Sequence, residues 1–184
     1  GSGHPEIRAE VARWNGRADA DSVGYRLIRN FRRDVIAAAY GAYSGDEKDL
    51  KARRAPSGAE QAMRMLLRAK PPALVPPGFA SWDALLKAQV DALVADVGGN
   101  VAGYRWGDQN LAEVRHPLAK AISPLRWLTD PEDGGKPGDS GVPRAQGNGF
   151  GASERFAVSP GHEAQALFHM PGGQAGNPLS PYYL

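Results

Sequence analysis

The chain contains no cysteine. Disulfides, thiolate nucleophiles and thiolate metal sites are therefore excluded, and redox logic gives no compartment. No apolar run approaches the roughly 20 residues that a membrane-spanning helix needs, so no membrane partner is expected. An excess of either charge is also missing. Lys and Arg total 22 against 20 Asp and Glu, a net charge of +2. A nucleic-acid footprint needs basic residues gathered on one face, so no nucleic-acid partner is expected. The opening Gly1-Ser2-Gly3-His4-Pro5 lacks the charged and apolar regions of a signal peptide. Internal repeats and low-complexity tracts are absent too.

What is present fits an ordinary soluble globular chain. Its 184 residues are 42% hydrophobic and 23% charged. A chain of this length can bury roughly 70% of its unfolded surface. It carries 23 glycines and 15 prolines, and their uneven spread divides it. Residues 1–99 read as helical, and residues 100–184 as rich in strands and loops. The expected class is α+β, with the two segments forming one partial domain rather than two independent ones.

Helical periodicity carries the first segment. Pro5 suits a helix start, Ile7, Val11 and Trp14 recur at helical spacing, and Asn15-Gly16 reads as a stop. Asp21-Ser22 offers a cap for a second helix, with Val23, Leu27, Ile28, Phe31 and Val35 as its stripe and Gly41 as its end. Ser57-Gly58-Ala59-Glu60 has capping-box spacing before Met63, Leu66 and Leu67, and Pro71-Pro72 closes that helix. Ser81 starts a fourth helix that Gly98-Gly99 stops. Beyond Asn100 the periodicity fades. Val101–Trp106, Leu125–Leu128, Glu154–Val158 and Gln165–Met170 are expected as strands between long loops, including one from Asp130 to Phe150.

Several constellations invite chemistry. Gly138-Asp139-Ser140-Gly141 has the form of a trypsin-like nucleophile loop, but a serine nucleophile needs a His base and an orienting Asp. The upstream His116 lies in Arg115-His116-Pro117, the wrong context, so a plain loop is the better reading. His162, Glu163 and His169 suggest zinc, yet two helical His ligands must stand four apart, not seven. Arg26, Arg29, Arg32 and Arg33 rotate around a helix, and Arg53-Arg54 follows, which fits solvated faces rather than phosphate contacts. Gly147-Asn148-Gly149-Phe150-Gly151 lacks the following helix that a phosphate cradle requires. Asp130, Glu132, Asp133 and Asp139 lack the spacing of an EF-hand. No catalytic, cofactor-binding or metal-binding residue is therefore assigned within the chain, and no cofactor is expected.

The run His169-Met170-Pro171-Gly172-Gly173-Gln174-Ala175-Gly176-Asn177-Pro178-Leu179-Ser180-Pro181, followed by Tyr182-Tyr183, resembles the closing motif of the penicillin acylase (penicillin amidase) family of N-terminal-nucleophile hydrolases. Ala175 stands where that family usually has Ser. Four further segments resemble family elements in the same order: Trp14-Asn15-Gly16 with Asp21-Ser22; Trp106-Gly107 with His116-Pro117-Leu118; Pro137-Gly138-Asp139; and Gly151-Ala152-Ser153-Glu154-Arg155. The Gln174 turn carries the most weight.

The resemblance implies part of an αββα sandwich and an enzyme that hydrolyses the amide between an acyl group and an amine. In that family a Ser at the start of the β chain attacks, its own α-amine acts as base, and an Asn and backbone N–H groups hold the oxyanion. Neither Gly1 nor Ser2 matches that Ser, because Ser2 carries an amide nitrogen. The chain is thus expected to be a C-terminal portion of a β chain, truncated at both ends and inactive alone. Its partners would be the remainder of the β chain and the α chain, with a small acyl amide bound by the complete enzyme. Penicillins and N-acyl-homoserine lactones, hence antibiotic conversion or quorum quenching, stay open, and the resemblance implies a periplasmic location. The alternative is a non-catalytic binding module that retains part of the fold.

Overall fold

The computed structural model describes residues 3–44, 58–113, 124, 126–130, 134–148, 150–151, 155–169 and 175–183. Among them helices dominate and the strands are short and antiparallel, an α+β composition. The chain divides into two units, Gly1–Asn15 with Val23–Tyr104 and Gly16–Ser22 with Arg105–Leu184.

The first unit is helical. Helix α1 (Pro5–Arg13) carries Pro at its first turn, and α2 (Val23–Ser44) follows. Helices α3 (Ala59–Ala69) and α4 (Trp82–Val97) complete the set. Two apolar clusters hold these helices together. Val23 and Leu27 of α2 meet Leu93 and Val97 of α4 and Tyr104, while Val35 and Ala39 meet Met63, Trp82 and Leu85. Each fully buried Leu or Val contributes about 1.5–3 kcal/mol. Helix α1 crosses α2 closely at Gly24, where an added Cβ would stand 2.6 Å from the Glu10 carbonyl oxygen.

The helix punctuation follows the sequence at α4. Ser81 Oγ accepts the Ala84 N–H at 3.1 Å, and Gly98 ends the helix in the left-handed region at φ 63°. Elsewhere the ends move. Helix α2 runs three residues past Gly41, to Ser44. Helix α3 is capped by Gly58, and its last turn closes at Lys70 with φ 44°, one residue before Pro71. Ser57 of the expected capping box lies outside the described residues.

The second unit is irregular, with a short helix α5 (Arg126–Thr129) and two hairpins. Strands β1 (Gln146–Gly147) and β2 (Phe150–Gly151) pair antiparallel, Gly147 opposite Phe150. Asn148 and Gly149 are the two residues between them, the composition that favours a tight hairpin loop. Strands β3 (Arg155–Ala157) and β4 (Leu167–His169) pair with Phe156 opposite Phe168. Both β3 and β4 fall where the sequence places strands. The expected strands at Val101–Trp106 and Leu125–Leu128 do not form. The first is replaced by 3-10 turns at Val101–Gly103 and Trp106–Asp108, the second by helix α5. In the first case Asn100 overrides strand propensity: its side-chain oxygen accepts the Gly103 N–H at 3.0 Å and tightens the backbone into a turn. Among the described residues, no helix is long and apolar enough to cross a membrane.

Candidate functional site

Three segments of the second unit, residues 16–22, 106–111 and 135–148, are laced together chiefly by backbone hydrogen bonds. The carbonyls of Ala18, Ala20 and Ser22 accept N–H groups from Gly138 (2.7 Å), Gly107 (2.6 Å) and Trp106 (3.2 Å). The segment turns within itself, since the Ser22 N–H donates to the Asp19 carbonyl at 3.0 Å. Across from it, Leu111 bridges Gly135, and the Lys136 N–H donates to the Asn110 carbonyl at 2.9 Å.

Two buried side chains fasten the centre. The Trp106 indole, 2% exposed, donates its Nε1–H to the Gly138 carbonyl at 2.7 Å. The Asn110 amide, 3% exposed, donates to the same carbonyl at 3.0 Å and to that of Lys136 at 2.8 Å. The Gly138 carbonyl uses both lone pairs, and Asn110 spends both amide hydrogens. Such mutual satisfaction is what burial of polar groups requires. Asn148 joins the second unit's network by accepting the Leu111 N–H on its side-chain oxygen at 3.1 Å.

Small residues make these approaches possible. A Cβ on Gly135 would stand 2.6 Å from the Gly107 Cα, and one on Gly138 would stand 2.2 Å from the Arg144 carbonyl oxygen. Gly138 also sits at φ 100°, which disfavours any other residue.

The residues singled out for chemistry fall into structural roles. Asp139 is buried, and its Oδ1 accepts the Ser140 N–H at 2.6 Å and the Ser140 hydroxyl at 3.2 Å. Ser140 thus faces a carboxylate rather than an imidazole, and His116 lies outside the described residues. Glu163 is fully exposed and accepts the Gly161 N–H at 2.8 Å, and that backbone hydrogen bond lowers its carboxyl pKa. His162 is exposed nearby, and His169 lies on β4. Among the described residues no group of three or more His, Asp and Glu stands close enough to hold a metal ion.

The arginines are used individually. Arg26 lies 3.8 Å above the ring of Tyr104, Arg32 pairs with Glu60, and Arg33 Nε meets Asp34 Oδ1 at 2.9 Å. Arg53-Arg54, Glu132 and Asp133 are outside the described residues. Asp130 pairs with Arg126 at 3.3 Å. Gly147, Phe150 and Gly151 of the glycine run lie on the β1–β2 ladder.

The first unit holds one buried polar cluster that sequence reading missed. The Tyr104 hydroxyl donates to Asp96 Oδ2 at 2.5 Å and accepts from Asn30 Nδ2 at 2.8 Å. Burial, then the bond to Asp96, pushes the phenol's pKa up; Asn30 and the Arg26 cation pull the other way. Nothing in the spacing of Asn30, Asp96 and Tyr104 announces their meeting. Asn110 and Gly135 were likewise missed, since an isolated Asn or Gly in a loop carries no pattern.

The laced segments contain all or part of three of the stretches that resemble acylase elements: Gly16 and Asp21-Ser22 of the first, Trp106-Gly107 of the second, and Pro137-Gly138-Asp139. Residues 171–174 of the closing motif, including Gln174, lie outside the described residues, as do His116-Pro117-Leu118 and residues 152–154. Comparison with known proteins extends the match along the chain. The family profile described as "Penicillin amidase" covers residues 3–184. The "Penicillin acylase 2 proenzyme" of Pseudomonas sp. (strain SE83) is 24% identical over 205 residues, spanning 97% of this chain. The chain itself spans 24% of that relative's length. With its family profile matched from Gly3 to its last residue, the chain belongs to the penicillin amidase family.

Proposed function

We propose that this chain is a scaffold portion of an acylase-type amidohydrolase, completing an αββα sandwich while another part of the enzyme supplies the nucleophile. The observation that carries the reading is the use made of the matching motifs. Trp106, Gly107, Asn110, Gly138 and Asp139 spend their polar groups on one another and on nearby backbone. The one hydroxyl described there, that of Ser140, is held by the Asp139 carboxylate that also closes the local turn, which supports a bracing role for these residues rather than attack on a carbonyl.

On this reading the complete enzyme cleaves the amide between an acyl group and an amine. An N-terminal Ser attacks through its own amine, and the acyl-enzyme is then hydrolysed. Penicillin-type and N-acyl-homoserine-lactone-type amides are the substrate classes to try, and the family resemblance favours a periplasmic setting. The coverage of a quarter of the Pseudomonas relative supports a division of labour between this portion and the rest.

The test is amidase turnover of a chromogenic phenylacetyl anilide by the chain alone, then by the chain co-expressed with the rest of its encoded polypeptide. No turnover alone and turnover on co-expression is the expected pair of results. Turnover by the chain alone would overturn the reading.

A further inference from the structure

We propose that Asn15 is a self-modification site: in the folded chain the Gly16 amide nitrogen converts it, through a succinimide ring, to aspartate and isoaspartate. The chain holds two Asn-Gly pairs, Asn15-Gly16 and Asn148-Gly149. Asparagine is among the heat-labile residues, and a following glycine offers a backbone nitrogen that no side chain shields. Sequence alone does not rank the two pairs, and the fold does.

Asn15 and Gly16 are both exposed, beyond the end of α1 and outside any helix or strand. Among the described residues the Gly16 N–H donates to no acceptor, so its nitrogen is uncommitted. A Cβ built on Gly16 would meet nothing within 4 Å, and φ stands at 83°, in the region open to glycine. A five-membered ring therefore has room on that side of the backbone. Asn148 is exposed too, but its carboxamide oxygen is spent on the Leu111 N–H at 3.1 Å. It also follows β1 directly, where Gly147 is held opposite Phe150. Ring closure at Asn148 turns the carboxamide away from Leu111 and distorts the end of that ladder.

The reaction needs only base and water. Base takes the proton from the Gly16 nitrogen, which attacks Asn15 Cγ, and the side-chain amide leaves as ammonia. Water then opens the imide. Breaking the bond from nitrogen to Cγ gives aspartate. Breaking the bond from nitrogen to the main-chain carbonyl carbon gives isoaspartate, whose backbone runs through the β-carbon. Isoaspartate thus lengthens the chain by one carbon just before residues 16–22. The Ala18 and Ala20 carbonyls in that segment accept the Gly138 and Gly107 N–H groups at 2.7 and 2.6 Å, and the insertion loosens these bonds.

The experiment is storage of the purified chain in warm, mildly alkaline buffer, native and in urea, followed by peptide mass mapping and enzymatic methylation of isoaspartyl groups. In the native chain, product at Asn15 is expected to form at least about tenfold faster than at Asn148, the rate effect of about one hydrogen bond. In urea the two sites should react at similar rates. Asn15→Gln, which requires a six-membered ring, should abolish product at that position. Similar native rates at the two sites, faster reaction at Asn148, or an unmodified Asn15 in the native sample would each overturn the assignment. The isoaspartyl fraction, separated by ion exchange, should melt below Asn15→Asp, which carries the same charge on an unaltered backbone. Equal midpoints would overturn the loosening of the Ala18 and Ala20 bonds.

Discussion

Gly135 lies against Gly107 so closely that a methyl group on it would stand 2.6 Å from the Gly107 Cα and 2.7 Å from its carbonyl oxygen. Those atoms are backbone held by the hydrogen bond from the Gly107 N–H to Ala20, so they cannot swing aside. Gly135→Ala is therefore expected to destabilise by about 1–3 kcal/mol, the usual range for forced overpacking. Gly141→Ala, where an added Cβ meets nothing within 4 Å, should change stability by less than about 0.5 kcal/mol. Urea unfolding followed by tryptophan fluorescence decides between them. Equal midpoints for the two variants would show that the close approach is not a constraint.

Gly24 sets propensity against packing. A Gly inside a helix costs roughly 0.5–1 kcal/mol relative to Ala, so propensity alone makes Gly24→Ala stabilising. A Cβ there, however, would stand 2.6 Å from the Glu10 carbonyl oxygen and 2.7 Å from the Trp14 Cβ. The contact should win and push α1 off α2, disturbing the Trp14–Tyr25 ring pair at 5.8 Å. A lower thermal midpoint and altered near-UV circular dichroism are expected. A raised midpoint would show that α1 can shift without loss.

These two glycines show where sequence reading stops. Helices α2, α3 and α4 were legible because Leu27, Val35, Met63, Leu85 and Leu93 sit on helical apolar stripes and Ser81 and Gly98 punctuate α4. Strands β3 and β4 were legible from Phe156-Ala157-Val158 and Ala166-Leu167-Phe168. The turns at Val101–Gly103 and Trp106–Asp108 were not, because apolar Val101, Tyr104 and Trp106 look like a strand until Asn100 and the Ala20 and Ser22 carbonyls claim the backbone. The motif order announced the family, but the junction those motifs build depends on partners up to about 120 residues apart, as in the Gly138 N–H bond to Ala18. No local pattern encodes such pairings.

Tyr104 links burial to pH. Its phenol keeps its proton in the folded chain above the usual value near 10, through burial and the bond to Asp96. Its stabilisation is therefore complete below about pH 10 and falls as pH rises toward the raised folded value, since the unfolded chain releases the proton first. Tyr104→Phe should cost about 1–3 kcal/mol at neutral pH, because it strips partners from Asp96 and the buried Asn30 amide. The gap between wild type and variant should narrow above pH 10, which urea titrations at pH 8 to 11 would measure. A gap that widens with pH would contradict the assigned sign.

Ser140 is the residue whose surroundings most invite a catalytic role, and its geometry argues against one. Its hydroxyl donates to Asp139 Oδ1 at 3.2 Å, a carboxylate rather than the imidazole that a serine nucleophile uses as base. The neighbouring N–H, at 2.6 Å from the same oxygen, shows what Asp139 is for: its carboxylate closes the turn after Gly138. Ser140→Ala leaves that N–H in place, so it should change stability by less than about 0.5 kcal/mol and leave the turnover of the co-expressed enzyme unaltered. Asp139→Ala removes a buried acceptor and should destabilise by about 1–3 kcal/mol, lowering the yield of assembled enzyme rather than the rate per assembled site. Active-site titration alongside turnover separates these quantities. A fall in rate per titrated site for Ser140→Ala would make this serine part of the chemistry and defeat the scaffold assignment of the junction.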